Sequence, residues 1–178
     1  MVTYLVYEWP RERTPSPPET ERSAVWTAAD PLIIARLFAG EPERLRAQLQ
    51  MLAEGYEGLL CVLDDQWVAY GWMKRPHSPG PPHLPAEARR FPSYWITYCR
   101  TRTALQRRGI FTAAILRLVG IARAEDPAAR ILIDAEHRND RSLHAIVRAG
   151  FFPAGVIRTV SLGFPKLGRV GWGSWRDR

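Results

Sequence analysis

Apolar and polar positions alternate, cluster and recur along this chain in a way that fixes most of its elements. Residues 2–9, "VTYLVYEW", are β-branched and aromatic and predict a first strand. "PRERTPSPPETERS" follows, too rich in proline to hold regular structure. "WTAADPLIIARLFAG" and "EPERLRAQLQMLAEG" read as two helices, the second with Leu45, Leu49 and Leu52 on one face and Gly55 to end it. "GLLCVLDDQWVAYGWM" predicts two strands joined tightly at Asp64-Asp65. Between Lys74 and Pro92 stand six prolines (Pro76, Pro79, Pro81, Pro82, Pro85 and Pro92), which predict an ordered loop or a flap. "SYWITYCRT" is a fourth strand. From Gly109 the period changes: Phe111, Ala114, Ile115, Leu118 and Ala122 fall on one helical face. "RILIDAE" is a fifth strand. "NDRSLHAIVRAGF" is a short helix, capped by Asn139 or Asp140, with Leu143, Ile146 and Val147 turned inward and Gly150 at its end. "GVIRTVSL" and "RVGWGSW" predict closing strands. The order β-α-α-β-β-β-α-β-α-β-β predicts an α/β (α+β) domain of three layers around a mixed sheet.

Length and composition narrow this little. A chain of 178 residues with 46% hydrophobic and 24% charged residues suits one globular domain with a real core. No apolar run is long enough for a membrane span, and the N-terminus has no secretory pattern, so a cytoplasmic protein without a membrane partner is expected. Cys61 and Cys99 sit in strand-like runs and read as buried thiols, and the four histidines show no metal-ligand spacing with them. The net charge of +7 is carried almost wholly by arginine and admits an anionic partner. The arginines are scattered rather than arranged in an aromatic-studded stripe, so nucleic acid is a weak expectation.

Chemistry concentrates at "LQRRGIFTAAILRLV". An ordinary helix needs one capping residue. This one opens with two arginines and a glycine, as a helix facing an anion would: bare amides, close approach and positive charge. A solvated surface loop is the bland alternative.

Two motifs in order resemble the GNAT N-acyltransferase superfamily. Gln106-Arg107-Arg108-Gly109-Ile110-Phe111 is similar to that family's pyrophosphate loop, and Asn139, Ser142 and Ala149-Gly150-Phe151 are similar to the helix after its fifth strand. The likeness covers about residues 56–162 and departs from the pattern at Phe111, where Gly or Ala is usual. It implies one domain over 1–178: an N-terminal strand and helices (1–55), a cofactor-binding core (56–162) and a C-terminal strand or tail (163–178). The implied sheet is mostly antiparallel, of about seven strands, with the fourth and fifth splayed. Acetyl-CoA is the implied cosubstrate. Its diphosphate would meet the amides from Arg107 through Thr112, and its pantetheine arm the main chain of Cys99, Arg100 and Thr101, with Asn139 as helix cap, pantetheine ligand or both.

Catalytic groups are harder to assign. Relatives carry a Tyr where Ile146 stands and a Glu where Trp95 stands. Glu136 remains as a candidate base or a solvated strand-end carboxylate, and Tyr98 as a candidate catalytic or wall residue. Trp67, Tyr70, Trp72, Tyr94 and Trp95 read as core or as a pocket for an aromatic or sugar amine. The expected activity is transfer of an acetyl group to an amine by direct attack in a ternary complex. The acceptor would be a small-molecule or sugar amine, and a homodimer stays open. A catalytically degenerate acyl-CoA-binding module and a basic nucleic-acid binder are the alternatives.

Overall fold

In the computed structural model, residues 1–19, 24–78, 80–85, 88, 92–161 and 169–175 are described. Eight strands form a single sheet: β1 (Val2–Glu8), β2 (Val25–Ala28), β3 (Glu57–Leu63), β4 (Gln66–Lys74), β5 (Ser93–Thr101), β6 (Arg130–Glu136), β7 (Phe152–Ser161) and β8 (Arg169–Trp175), in the spatial order β2-β3-β4-β5-β6-β1-β7-β8. Four helices cover it: α1 (Pro31–Leu37), α2 (Pro42–Ala53), α3 (Ile110–Glu125) and α4 (Asp140–Ala149). The strand read fourth from the sequence is β5, and the one read fifth is β6.

The extra strand is a correction. Residues 26–28 begin the stretch expected to be helical, yet with Val25 they pair antiparallel with β3, Val25 opposite Val62 and Ala28 opposite Leu59. The helix cannot start before Pro31, because Asp30 caps it: its carboxylate accepts from the Leu32 amide at 2.8 Å, and proline occupies the first helical turn. Elsewhere local chemistry decides as expected. Asp64 and Asp65 take φ of 49° and 54°, the left-handed pair that closes a two-residue hairpin between β3 and β4.

Side-chain alternation divides the core between two faces. Leu59, Met73, Ile96, Ile131 and Ile133 pack with Ile115, Leu118 and Val119 of α3 and Ile146 of α4. On the other face Leu60, Trp67, Tyr70 and Trp72 pack under Ile34 and Phe38 of α1 and Met51 of α2. Farther along that second face Val6, Trp95, Leu132 and Ile157 pack with Leu84 and Ala88 of the proline-rich loop. The five strand aromatics are therefore core: Trp67, Tyr70, Trp72, Tyr94 and Trp95 are all buried. Val147, expected to face inward, is 51% exposed, because the buried stripe of α4 runs through Ile146 and Ala149.

β1 lies inside the sheet, hydrogen-bonded to β6 on one side and β7 on the other. Past Trp9 the chain follows α3 backwards. Pro10 accepts from Arg123 near the end of α3 at 3.3 Å, Pro15 lies beside Gly120, and Pro18 lies beside Gly109. Pro79, residues 86, 87 and 89–91 of the expected flap, Leu162 at the end of an expected closing strand, and 163–168 and 176–178 of the expected tail lie outside the described residues.

Candidate functional site

Among the described residues all the sheet's pairings are antiparallel except one. β5 and β6 run parallel, and their register ends at Ile96 opposite Ile133. Beyond that point Thr97–Thr101 and Asp134–Glu136 carry on without pairing to each other, so the sheet opens. A bulge on β5 helps to open it. Tyr70 pairs with Arg100 but Trp72 with Thr97, so one extra residue of β5 faces β4, and Tyr98 takes a φ of 49°. A bulge breaks the ladder and re-aims the strand.

The opening is a cleft of about 310 Å³ lined from both faces of the sheet. Ile96, Thr97, Tyr98 and Cys99 of β5 form one wall and Ile133 through Glu136 of β6 the other. Phe111 of α3 and Asn139, Ser142 and Ile146 of α4 close the helical side, while Tyr4, Pro82 and His83 close the opposite side. A cavity of about 690 Å³ lies elsewhere, lined by Glu8, Trp9, Arg11, His77 and Arg130. It is the larger, but no helix N-terminus opens onto it and its Glu8 and Arg130 are already paired at 3.0 Å.

The first turn of α3 closes on Gly109. Its carbonyl accepts from Ala113 at 2.9 Å, the first bond of the helix. Gly109 itself has no side-chain cap to offer and takes a left-handed conformation, φ 76° and ψ −5°. Among the described residues the amides of Ile110, Phe111 and Thr112 meet no protein acceptor, as the open end of a helix requires. Arg107 is also left-handed at φ 67°. Arg107 and Arg108 are exposed, and Gln106 is tied to α4 by Arg141 at 3.5 Å. An anion placed here meets three unpaired N–H groups, the positive end of a 16-residue helix and two arginines. Phe111 does not obstruct it: its ring is partly buried against the α3 core and forms cleft wall.

Other expected site residues fall as follows. Cys99 lines the cleft, its sulfur packed over Gly71, and burial pushes its thiol up to about 12. Arg100 is exposed and Thr101 is buried at the end of β5. Asn139 caps α4, its side-chain oxygen accepting from the Ser142 amide at 3.2 Å, and both residues line the cleft. Glu136 and Tyr98 line it too, both exposed. Ile146 is fully buried in its wall.

Two residues not singled out from the sequence complete the cleft. His83 Nε2 stands 2.9 Å from Asp134 Oδ2, and the two side chains are only 10% and 5% exposed. Trp95 Nε1 donates to the other carboxylate oxygen at 2.5 Å. The Tyr4 ring stacks on the imidazole, centroids 4.4 Å apart. Asp134 carried a signal, a carboxylate inside the apolar run "RILIDAE". His83 carried none, being 51 residues away in a proline-rich loop.

No protein-family model and no curated protein matches the sequence. Backbone shape does match. An acetyltransferase of the GNAT family from Colwellia psychrerythraea superposes with a TM-score of 0.60 at 14% identity, over 86% of this chain and 53% of that one. A GCN5-related N-acetyltransferase from Sphaerobacter thermophilus gives 0.58 at 16% identity, over 98% of this chain and 51% of the other. An acetyltransferase of the GNAT family from Streptococcus pneumoniae gives 0.54 at 12%, over 86% of this chain and 99% of that one. The chain thus spans about half the length of the first two.

Proposed function

The chain has the GNAT fold, and from that premise we propose that it transfers an acetyl group from acetyl-CoA to the amine of a small molecule or sugar. The observation that carries this reading is the opening between β5 and β6, lined on its helical side by Phe111 from the first turn of α3, a turn whose amides meet no acceptor among the described residues. The diphosphate suits Gly109, Ile110, Phe111 and Thr112, with Arg107 and Arg108 adding charge and Gln106 set by Arg141. Cys99 lines the cleft, and the main chain from it through Arg100 and Thr101, beyond the last β5–β6 pair, suits the pantetheine arm, with Asn139 and Ser142 at its outer edge. Acetyl-CoA supplies the activated acyl group as a thioester. A main-chain N–H on the bulged strand would steady the oxyanion that forms as an amine attacks, a contribution of several kcal/mol in comparable sites, typically ~3.

Direct attack is favoured over an acyl-enzyme. The reactive form of a cysteine is its thiolate, and burial keeps the Cys99 thiol protonated, its pKa pushed up to about 12. Two free thiols, Cys61 and Cys99, suit a reducing compartment such as the cytoplasm. Among the described residues no helix is long and apolar enough to cross a membrane.

Titration calorimetry with free CoA tests the reading. One saturable site is expected, and absence of heat at millimolar ligand contradicts it. A second reading, an acyl-CoA binder without turnover, is favoured by the apolar Ile146 in the cleft wall. It requires CoA-dependent thermal stabilisation with no thiol release from acetyl-CoA in the presence of any amine.

A further inference from the structure

We infer that His83, oriented by Asp134, is the base that takes the amine's proton, and that the amine reaches the acyl group from the sheet face opposite α3 and α4. This rests on the transfer reading above. Ile133 and Ala135 point into the core shared with α3 and α4. Asp134 between them points to the other face, where Val6 is its cross-strand partner. The cleft therefore runs through the sheet. Its helical side is closed by Phe111 of the first turn of α3 with Asn139 and Ser142 of α4, and its other side holds His83, Asp134, Glu136 and Tyr4.

The geometry around His83 is that of a held base. A short turn, the Leu84 amide donating to the Pro81 carbonyl at 2.9 Å, seats Leu84 in the core and presents His83 beside it. An ionised carboxylate can only accept, so Nε2 carries the hydrogen in the 2.9 Å contact with Asp134. The neutral ring then keeps its lone pair on Nδ1. Both Asp134 oxygens are engaged, one by His83 and one by Trp95, so the carboxylate is fixed and the imidazole with it. Stability alone does not account for this arrangement: taking a carboxylate out of water is costly, and hydrogen bonds from a neutral imidazole and an indole only offset that cost. Asp134 is a positioning residue, and His83 is the group that meets the substrate.

The step balances without another reactant. The amine nitrogen's lone pair forms the N–C bond, the C–S bond breaks and its electron pair leaves with sulfur. The proton shed by nitrogen passes to His83 Nδ1, and the imidazolium, held by Asp134, returns it to the departing thiolate or to solvent. The titratable groups around the ring are Asp134 and Glu136 of β6, Tyr4 of β1, and Tyr98 and Cys99 of β5. Glu136 is suited to attract an incoming ammonium, whose first proton passes to solvent before the free amine attacks.

The test is thiol release from acetyl-CoA with tyramine, spermidine and glucosamine, followed from about pH 5 to 9 where histidine changes charge. The wild-type rate should rise with pH along a one-proton limb. His83→Gln should lower kcat about 100-fold or more and flatten that limb, with CoA binding by calorimetry and the thermal midpoint unchanged. Asp134→Asn should lower kcat while leaving KM for acetyl-CoA in place. Added imidazole should restore rate to His83→Ala and not to wild type. Retention of rate and limb by His83→Gln overturns the role. CoA binding without thiol release from any of the three amines, or failure of CoA to bind, is a different result and overturns the transfer reading itself.

Discussion

Gly109 joins fold and site at a single residue. Its φ of 76° is left-handed, a conformation that costs a residue with a Cβ about 1–2 kcal/mol. Space is not the obstacle, since the nearest atom to an added Cβ would be Pro18 Cγ at 3.8 Å. Gly109→Ala should therefore lower stability by about 1 kcal/mol in chemical denaturation and weaken CoA modestly. Gly109→Glu should add the same strain and abolish CoA binding, because it sets a carboxylate beside amides that favour a diphosphate. Cys99 makes the opposite prediction. With its thiol pushed up to about 12, Cys99→Ala should keep acetyl transfer within a few-fold of wild type, and mass spectrometry should find no acetylated enzyme. A stable acetyl-cysteine would refute direct attack. Gly109 was legible in the sequence because its chemistry is local: two arginines, a glycine and a helical period in one stretch. His83 was not, because only the folded sheet brings it to Asp134.

At the scale of elements, the two ends of α3 obey different physics. Its N-terminus is left open, whereas Glu125 at its C-terminus is bound by Arg75 from the end of β4 at 2.6 Å and by the Tyr94 hydroxyl at 2.9 Å. Arg75 first, then Tyr94, holds the Glu125 carboxyl below its ordinary value against the opposing effect of burial. A carboxylate whose folded pKa is depressed contributes stability above its unfolded value, about 4.3, and loses it as pH falls through the folded one. Glu125→Gln should therefore destabilise by less than about 1 kcal/mol near neutrality, since Arg75 is 44% exposed and the pair is screened. The difference from wild type should vanish in acid; a gap that persists at low pH would show that the ion pair is not its source. The start of α3 was readable from its period and opening residues. The start of α1 was not, because β2 and the helix share one apolar stretch and only the Asp30 cap and pairing with β3 separate them. The splay of β5 and β6 was expected from resemblance, not from periodicity: the bulge at Tyr98 sits in a run that reads as an unbroken strand.

Across the whole molecule, the place of β1 has the widest consequence. The sequence marks residues 2–9 as a strand but not where it goes, since sheet order depends on pairings far apart in the chain. In the fold it is interior, and it positions β6, whose Asp134 stands opposite Val6. Val6 is 1% exposed, so Val6→Asp buries a carboxylate without a partner and should destabilise by roughly 3 kcal/mol or more. Unchanged thermal stability would show that β1 is not part of the working sheet. CoA is expected to meet this scaffold at the opening of α3 and along the free end of β5, and amide ¹H–¹⁵N NMR during titration with CoA reads that encounter residue by residue. The largest shifts should fall at Gly109–Thr112 and along Thr97–Thr101, with smaller ones at Asn139 and Ser142. Shifts concentrated instead around Arg11, His77 and Arg130, at the 690 Å³ cavity, with the α3 opening unmoved, would contradict it.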